Sequence, residues 1–216
     1  MERTKEKLIA VVGATGQQGG GVVRALQARG QFKVRALTRN PDKHPELADE
    51  VVKADLNLPE TLKVAFEGAR GVFLVTNFWE QGTDELKEAT AAVRAAKDAG
   101  VKHFVWSTLP DVEAISGGKF DVPHFTGKAK IDRIVREAGF VNHTFVIAPM
   151  YYHGLVGAPV LQRRPTDPRD GLFLSIRMCV AFIWVISANW ATSSPEHSRA
   201  RMKQATASIC RSSVIS

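Results

Sequence analysis

Gly13-Ala14-Thr15-Gly16-Gln17-Gln18-Gly19 follows directly on the apolar run Leu8 to Val12 and opens a helical pattern from about Gln18 to Ala28, which stops at Gly30. A short buried strand, a tight glycine turn and a helix with Val22, Val23 and Leu26 on one face form the first unit of a parallel α/β sheet. Small residues let the main chain turn sharply there. They also let it come close to a pyrophosphate, whose charge the free N–H groups and the positive end of the helix dipole stabilise. A purely structural glycine turn is the plain alternative. The second strand, Phe32 to Thr38, arrives where a βαβ unit requires it.

The same rhythm continues along the chain. Val51 to Ala54 reads as a third strand, Pro59 to Phe66 as a short helix with proline in its first turn, and Val72 to Thr76 as a fourth strand. A helix over Thr83 to Ala99 is closed by Gly100 and precedes a fifth strand, His103 to Ser107. A glycine-rich loop through Gly117 and Gly118 leads to a helix from about His124 to Ala138 and a sixth strand, Thr144 to Ile147. Six strands alternating with helices predict one doubly wound parallel sheet of the Rossmann type over residues 1–157, expected to bind a dinucleotide.

The end of the second strand indicates which dinucleotide. An acidic residue there would accept hydrogen bonds from the ribose hydroxyls of NAD, but the chain reads Thr38-Arg39-Asn40 with Lys43 close behind. A guanidinium pairs with the additional 2′-phosphate of NADP and stacks on adenine, so NADP(H) is the expected cofactor and NAD(H) the lesser one. A solvated basic loop is the alternative. Asp55, just past the third strand, is placed to accept from the adenine amino group, or is an ordinary loop carboxylate. Thr76, Asn77 and Phe78, at and just past the C-terminal end of the fourth strand, fall on the nicotinamide side of the crevice.

With these residues in view, the chain resembles the NmrA-like family, a branch of the atypical short-chain dehydrogenase/reductases that includes NADP(H)-sensing regulators and quinone or isoflavone-type reductases. The resemblance runs from about Lys7 to Gly157. It is carried by the glycine turn, by Thr38-Arg39-Asn40-Pro41, by Val75 to Glu80 (VTNFWE), by His124 to Lys128 and by Pro149-Met150-Tyr151-Tyr152. It implies that Lys128 contacts the nicotinamide ribose and, in the reductase branch, serves as general base. It also implies that Met150, Tyr151 and Tyr152 line the nicotinamide pocket. His124 stands where ordinary short-chain dehydrogenases carry the tyrosine of a Tyr-x-x-x-Lys pair and is a second candidate acid/base. His153-Gly154 replaces the amide-bearing pair usual in the family.

Composition changes abruptly near Gly171. The first 170 residues hold 24 Lys and Arg against 21 Asp and Glu, whereas the remainder holds five bases against one acid, nine of the eleven serines and both cysteines. The net charge of +7 is therefore largely a property of the tail and predicts no direct nucleic-acid binding. A cysteine-free main domain and a charged Met1 to Lys7 without an apolar leader predict a reducing cytoplasm.

The stretch from Leu172 to Trp184 matches nothing expected of a substrate domain. Read from the third base of each codon, it can encode F-P-F-D-P-D-V-R-G-I-H-M-G, which resembles the family's own continuation. The junctions Met178-Cys179, Trp184-Val185 and Met202-Lys203 force valine, glycine and glutamate in that frame. A frameshift is thus expected to have replaced the substrate or partner domain with an aberrant, poorly folded segment over residues 158–216. A membrane anchor over Leu172 to Trp190 is the rival, but Arg177 interrupts it at a cost of roughly 2.5 to 3.5 kcal/mol on insertion scales.

Without the tyrosine, hydride transfer loses its usual support. The leading expectation is an NADP(H)-binding, redox-sensing or transcription-modulating regulator with a protein partner such as a transcription factor. The runner-up is an NADPH-dependent reductase of quinones or similar small carbonyl compounds. An inactive fragment is third.

Overall fold

The computed structural model describes residues 7–148. Six strands, β1 (Lys7–Val11), β2 (Phe32–Thr38), β3 (Glu50–Lys53), β4 (Gly71–Leu74), β5 (His103–Thr108) and β6 (Asn142–Ile147), form one sheet in the order β3-β2-β1-β4-β5-β6. Every pairing is parallel. The helices are α1 (Gln17–Arg29), α2 (Pro59–Phe66), α3 (Glu85–Asp98), α4 (Val112–Ile115) and α5 (Pro123–Glu137). The doubly wound Rossmann sheet is therefore present, and the strand order reverses between β1 and β4, where such sheets open a crevice.

Near-continuous apolar strands bury both faces of the sheet, as a parallel sheet requires. Val22, Val23 and Leu26 of α1 pack with Ile9, Val11, Val34 and Phe73 on one face. On the other face, Leu62 and Phe66 of α2, Ala89 and Val93 of α3 and Ile131 of α5 pack with Ala10, Val72, Phe104 and Trp106. Trp106 is fully buried, and its indole N–H donates to Asp132 Oδ1 at 3.0 Å, so the core's largest ring keeps its polar atom satisfied. Gly30 ends α1 with φ +61°, a left-handed geometry that favours glycine.

Boundaries depart from the expected ones by a residue or two. Strands β1, β3 and β4 begin and end earlier than the apolar pattern suggests. The loop expected between β5 and α5 contains α4, whose start is capped by the Asp111 side chain accepting from Ala114 N at 3.0 Å. Among the described residues no helix is long and apolar enough to cross a membrane. The candidate anchor over 172–190, the proposed aberrant segment and the domain limit at 157 lie outside the described residues.

Candidate dinucleotide site

A cleft of about 980 Å³ opens along the C-terminal ends of the strands. Its floor is the glycine turn. Gly13 adopts φ +71°, and a Cβ there would come within 2.7 Å of Val75 Cγ1. Gly19 is more constrained, since its Cβ would lie 2.1 Å from the Gly13 carbonyl oxygen. The helix start is thereby drawn against the end of β1, with Gly16 N donating to Gly13 O at 3.0 Å. Gly16 caps α1 without a side-chain hydrogen bond, which leaves the first-turn N–H groups that an anion would use without a side-chain cap among the described residues.

Of the residues expected in the turn, Thr15, Gly16 and Gln17 are exposed to the cleft, and Gln18 and Gly19 line it from less open positions. Ala14 is fully buried, does not line the cleft and offers only its main chain. Gln18 is oriented from across the sheet, its Oε1 accepting from Ser107 Oγ of β5 at 2.7 Å.

On the β2 side, Arg39, Asn40 and Asp55 line the cleft, while Lys43 is exposed and lies off it; His44 lines it instead. Asn40 N donates to Thr38 Oγ1 at 3.2 Å, and the Asp55 carboxylate accepts from Asn57 N at 2.9 Å. Arg39 is not a free cation. Its Nη1 donates to Glu80 Oε1, from the turn beyond β4, and that bond raises the guanidinium's proton affinity further.

Lys128 occupies the opposite wall. It is 8% exposed, and its ammonium donates to Thr76 O at 3.2 Å, Thr76 Oγ1 at 2.9 Å and Glu85 Oε1 at 2.7 Å. The Trp106 ring lies 5.0 Å below it. Burial lowers the Lys128 pKa from the ordinary lysine value, with the bond and charge of Glu85 opposing the shift. Three N–H bonds to protein acceptors use all the donors an ammonium has. Thr76 Oγ1 also donates to Glu85 Oε1 at 2.5 Å, and Glu85 Oε2 is buried with no hydrogen-bond partner among the described residues.

His124, the other candidate acid/base, packs among rings, with centroids 5.6 Å from Phe78, 5.2 Å from Trp79 and 4.7 Å from Phe125. Thr76, Asn77, Phe78, His124 and Lys128 thus line one end of the cleft together. Met150, Tyr151 and Tyr152 fall outside the described residues. Sequence reasoning missed Glu80, Glu85 and Ser107. Glu85 left a faint trace, an acid in the first turn of a helix that Asp84 caps by accepting from Lys87 N at 3.0 Å.

The family model for the NmrA-like family matches residues 5–173. The chain belongs to the NmrA-like family. An NmrA-like family domain-containing oxidoreductase, FrzB, of Cladobotryum sp. is 40% identical over 186 residues, covering 79% of this chain and 55% of that protein. A triphenylmethane reductase of Citrobacter sp., solved in complex with NADP(H), is 31% identical with a TM-score of 0.59, covering 68% of this chain and 51% of that one. NmrA, a negative transcriptional regulator solved with NADP, is 30% identical with a TM-score of 0.59, covering 68% and 46%. This NmrA-like chain spans about half the length of the curated relatives it matches.

Proposed function

We propose that this NmrA-like chain binds NADP(H) in the strand-end cleft and acts as a redox-sensing or transcription-modulating regulator rather than a catalyst. The binding half of this reading rests above all on the glycine turn, a concave main-chain cradle that a single Cβ at Gly19 would fill. The uncapped start of α1 would hold the pyrophosphate, Arg39 and Asn40 the 2′-phosphate, and Asp55 the adenine amino group. Thr76, Asn77, Phe78 and Lys128 would meet the nicotinamide half, with Met150, Tyr151 and Tyr152 completing it. When bound, the nicotinamide supplies hydride chemistry.

The regulatory half is supported by Lys128, whose three donors are engaged within the protein, and by His124, which among the described residues packs against the rings of Phe78, Trp79 and Phe125. Binding is tested by calorimetry with NADP⁺, NADPH and NAD⁺ on the whole chain. NADP⁺ should bind in preference to NAD⁺, and R39E should abolish the preference; absence of binding by all three would refute the reading. A cytoplasmic protein partner such as a transcription factor belongs to the same proposal.

One observation favours a second reading, an NADPH-dependent reductase of quinones or similar carbonyl compounds: the 40% identical relative is named an oxidoreductase. Stopped-flow oxidation of NADPH with a quinone panel separates the two, because only the reductase turns over. A chain that binds no dinucleotide and oxidises no NADPH would be an inactive fragment. For the tail we propose the frameshift origin, tested by reading the gene for an open second frame.

A further inference from the structure

The ion pair Arg39–Glu80 joins the two sides of the cleft. Arg39 follows β2 and Glu80 lies in the turn beyond β4, and these strands flank β1 on opposite sides. The bond therefore crosses above the end of β1, where the glycine turn lies. Glu80 is held there by its own turn: Glu80 N donates to Asn77 O at 3.3 Å, and Thr83 N donates to Glu80 O at 3.2 Å. Glu80 is not the only carboxylate acting on Arg39, since Asp55 and Glu88 also bear on its charge. Glu88 is 6% exposed and accepts from Asn57 Nδ2 at 3.0 Å, so it is fixed in place. An incoming phosphate meets one guanidinium already bound to one carboxylate, in a cleft that two more carboxylates line.

We infer that Glu80 is a specificity-determining residue. It occupies Arg39 in the free protein as an internal substitute for the cofactor's third phosphate. NADP(H) must displace it, whereas NAD(H), which carries no phosphate for Arg39 and offers the guanidinium only the face of its adenine, need not. Glu80 thereby lowers the preference for the phosphorylated dinucleotide below what Arg39 alone would confer. The inference rests on the proposed binding of NADP(H) in this cleft.

The test is the ratio of NADP⁺ to NAD⁺ affinity, measured by calorimetry on the whole chain and on E80Q. Removing the carboxylate while keeping its shape should raise the ratio by about two- to fivefold, the range an exposed ion pair supports. The charge-independent share of binding cancels in the ratio. E80A should give the same direction, and in the background of R39Q the substitution E80Q should leave the ratio unchanged. Glu80 sits in a half-exposed turn, so far-UV circular dichroism suffices to establish that each variant is folded. A ratio unchanged or lowered in both folded variants would overturn the role of Glu80 while leaving NADP(H) binding intact. Failure of the unmodified chain to bind NADP⁺ would instead sink the binding proposal, and this inference with it.

Discussion

Substituting Gly19→Ala places a methyl group where main chain already lies. The added Cβ would sit 2.1 Å from Gly13 O, 2.5 Å from Gly13 C and 2.9 Å from Ala14 N. None of these is the far end of a flexible side chain, so relief requires α1 to move away from β1. Overpacking costs typically about 1 to 3 kcal/mol, and rigid neighbours put this case near ~3. At ~2 to 4 °C per kcal/mol for a domain of this size, the melting temperature should fall by roughly 6 to 12 °C. Gly16→Ala is the informative partner. Its Cβ would lie 3.3 Å from Gly13 O, a contact that a few tenths of an ångström relieves, and loss of the cap should cost below about 1 kcal/mol.

The two variants separate folding from binding. Differential scanning fluorimetry with and without NADP⁺ reads both, because ligand at a hundred times its Kd stabilises the native state by about 2.7 kcal/mol. G16A should melt close to the unmodified protein yet lose most of its response to NADP⁺, since the new methyl group stands in the anion's approach. G19A should lose both. If G19A melts within about 2 °C of the unmodified chain and responds to NADP⁺ as before, the close approach of α1 to β1 is wrong, and with it the cradle.

His103, 8% exposed on β5 and in contact with Thr144 Oγ1, is held by burial at a pKa of about 4 against 6.5 in the unfolded chain. The unfolded state therefore binds the extra proton between those values, so stability falls as pH drops through this window, by about 2 kcal/mol between pH 7 and 5. Urea midpoints across that range should show the loss, and H103Q should flatten the profile. Glu85→Gln removes the anion beneath a buried ammonium and should destabilise by about 3 kcal/mol, the lower end for a broken buried pair, because burial already eases deprotonation of Lys128. Chemical denaturation of E85Q, K128M and the double variant should show the double recovering part of that loss; strict additivity would mean the pair is not coupled. A chain ending at Gly157 should retain weaker NADP⁺ binding by calorimetry, since the residues proposed for the phosphates and adenine all precede that point.

The phosphate end of the cleft was legible in the sequence because main chain builds it. Gly13, Gly16 and Gly19 stand at fixed spacing on one continuous strand-turn-helix, and a local pattern suffices to place them. The doubly wound parallel sheet followed from the βα rhythm for the same reason, since right-handed crossovers leave few ways to arrange such a chain. The opposite end is assembled from side chains brought together by the sheet. Lys128 could be singled out only through resemblance, and nothing local reveals that Thr76 and Glu85, 52 and 43 residues away in the chain, take up its donors. Arg39 shows the same limit from the other side. Its position after β2 identified a phosphate-binding guanidinium, but its partner Glu80 lies 41 residues on, across a crevice that exists only once β2 and β4 flank β1. What the residue can bind was written locally. What it must first release was set by topology, and cofactor preference depends on the difference between the two.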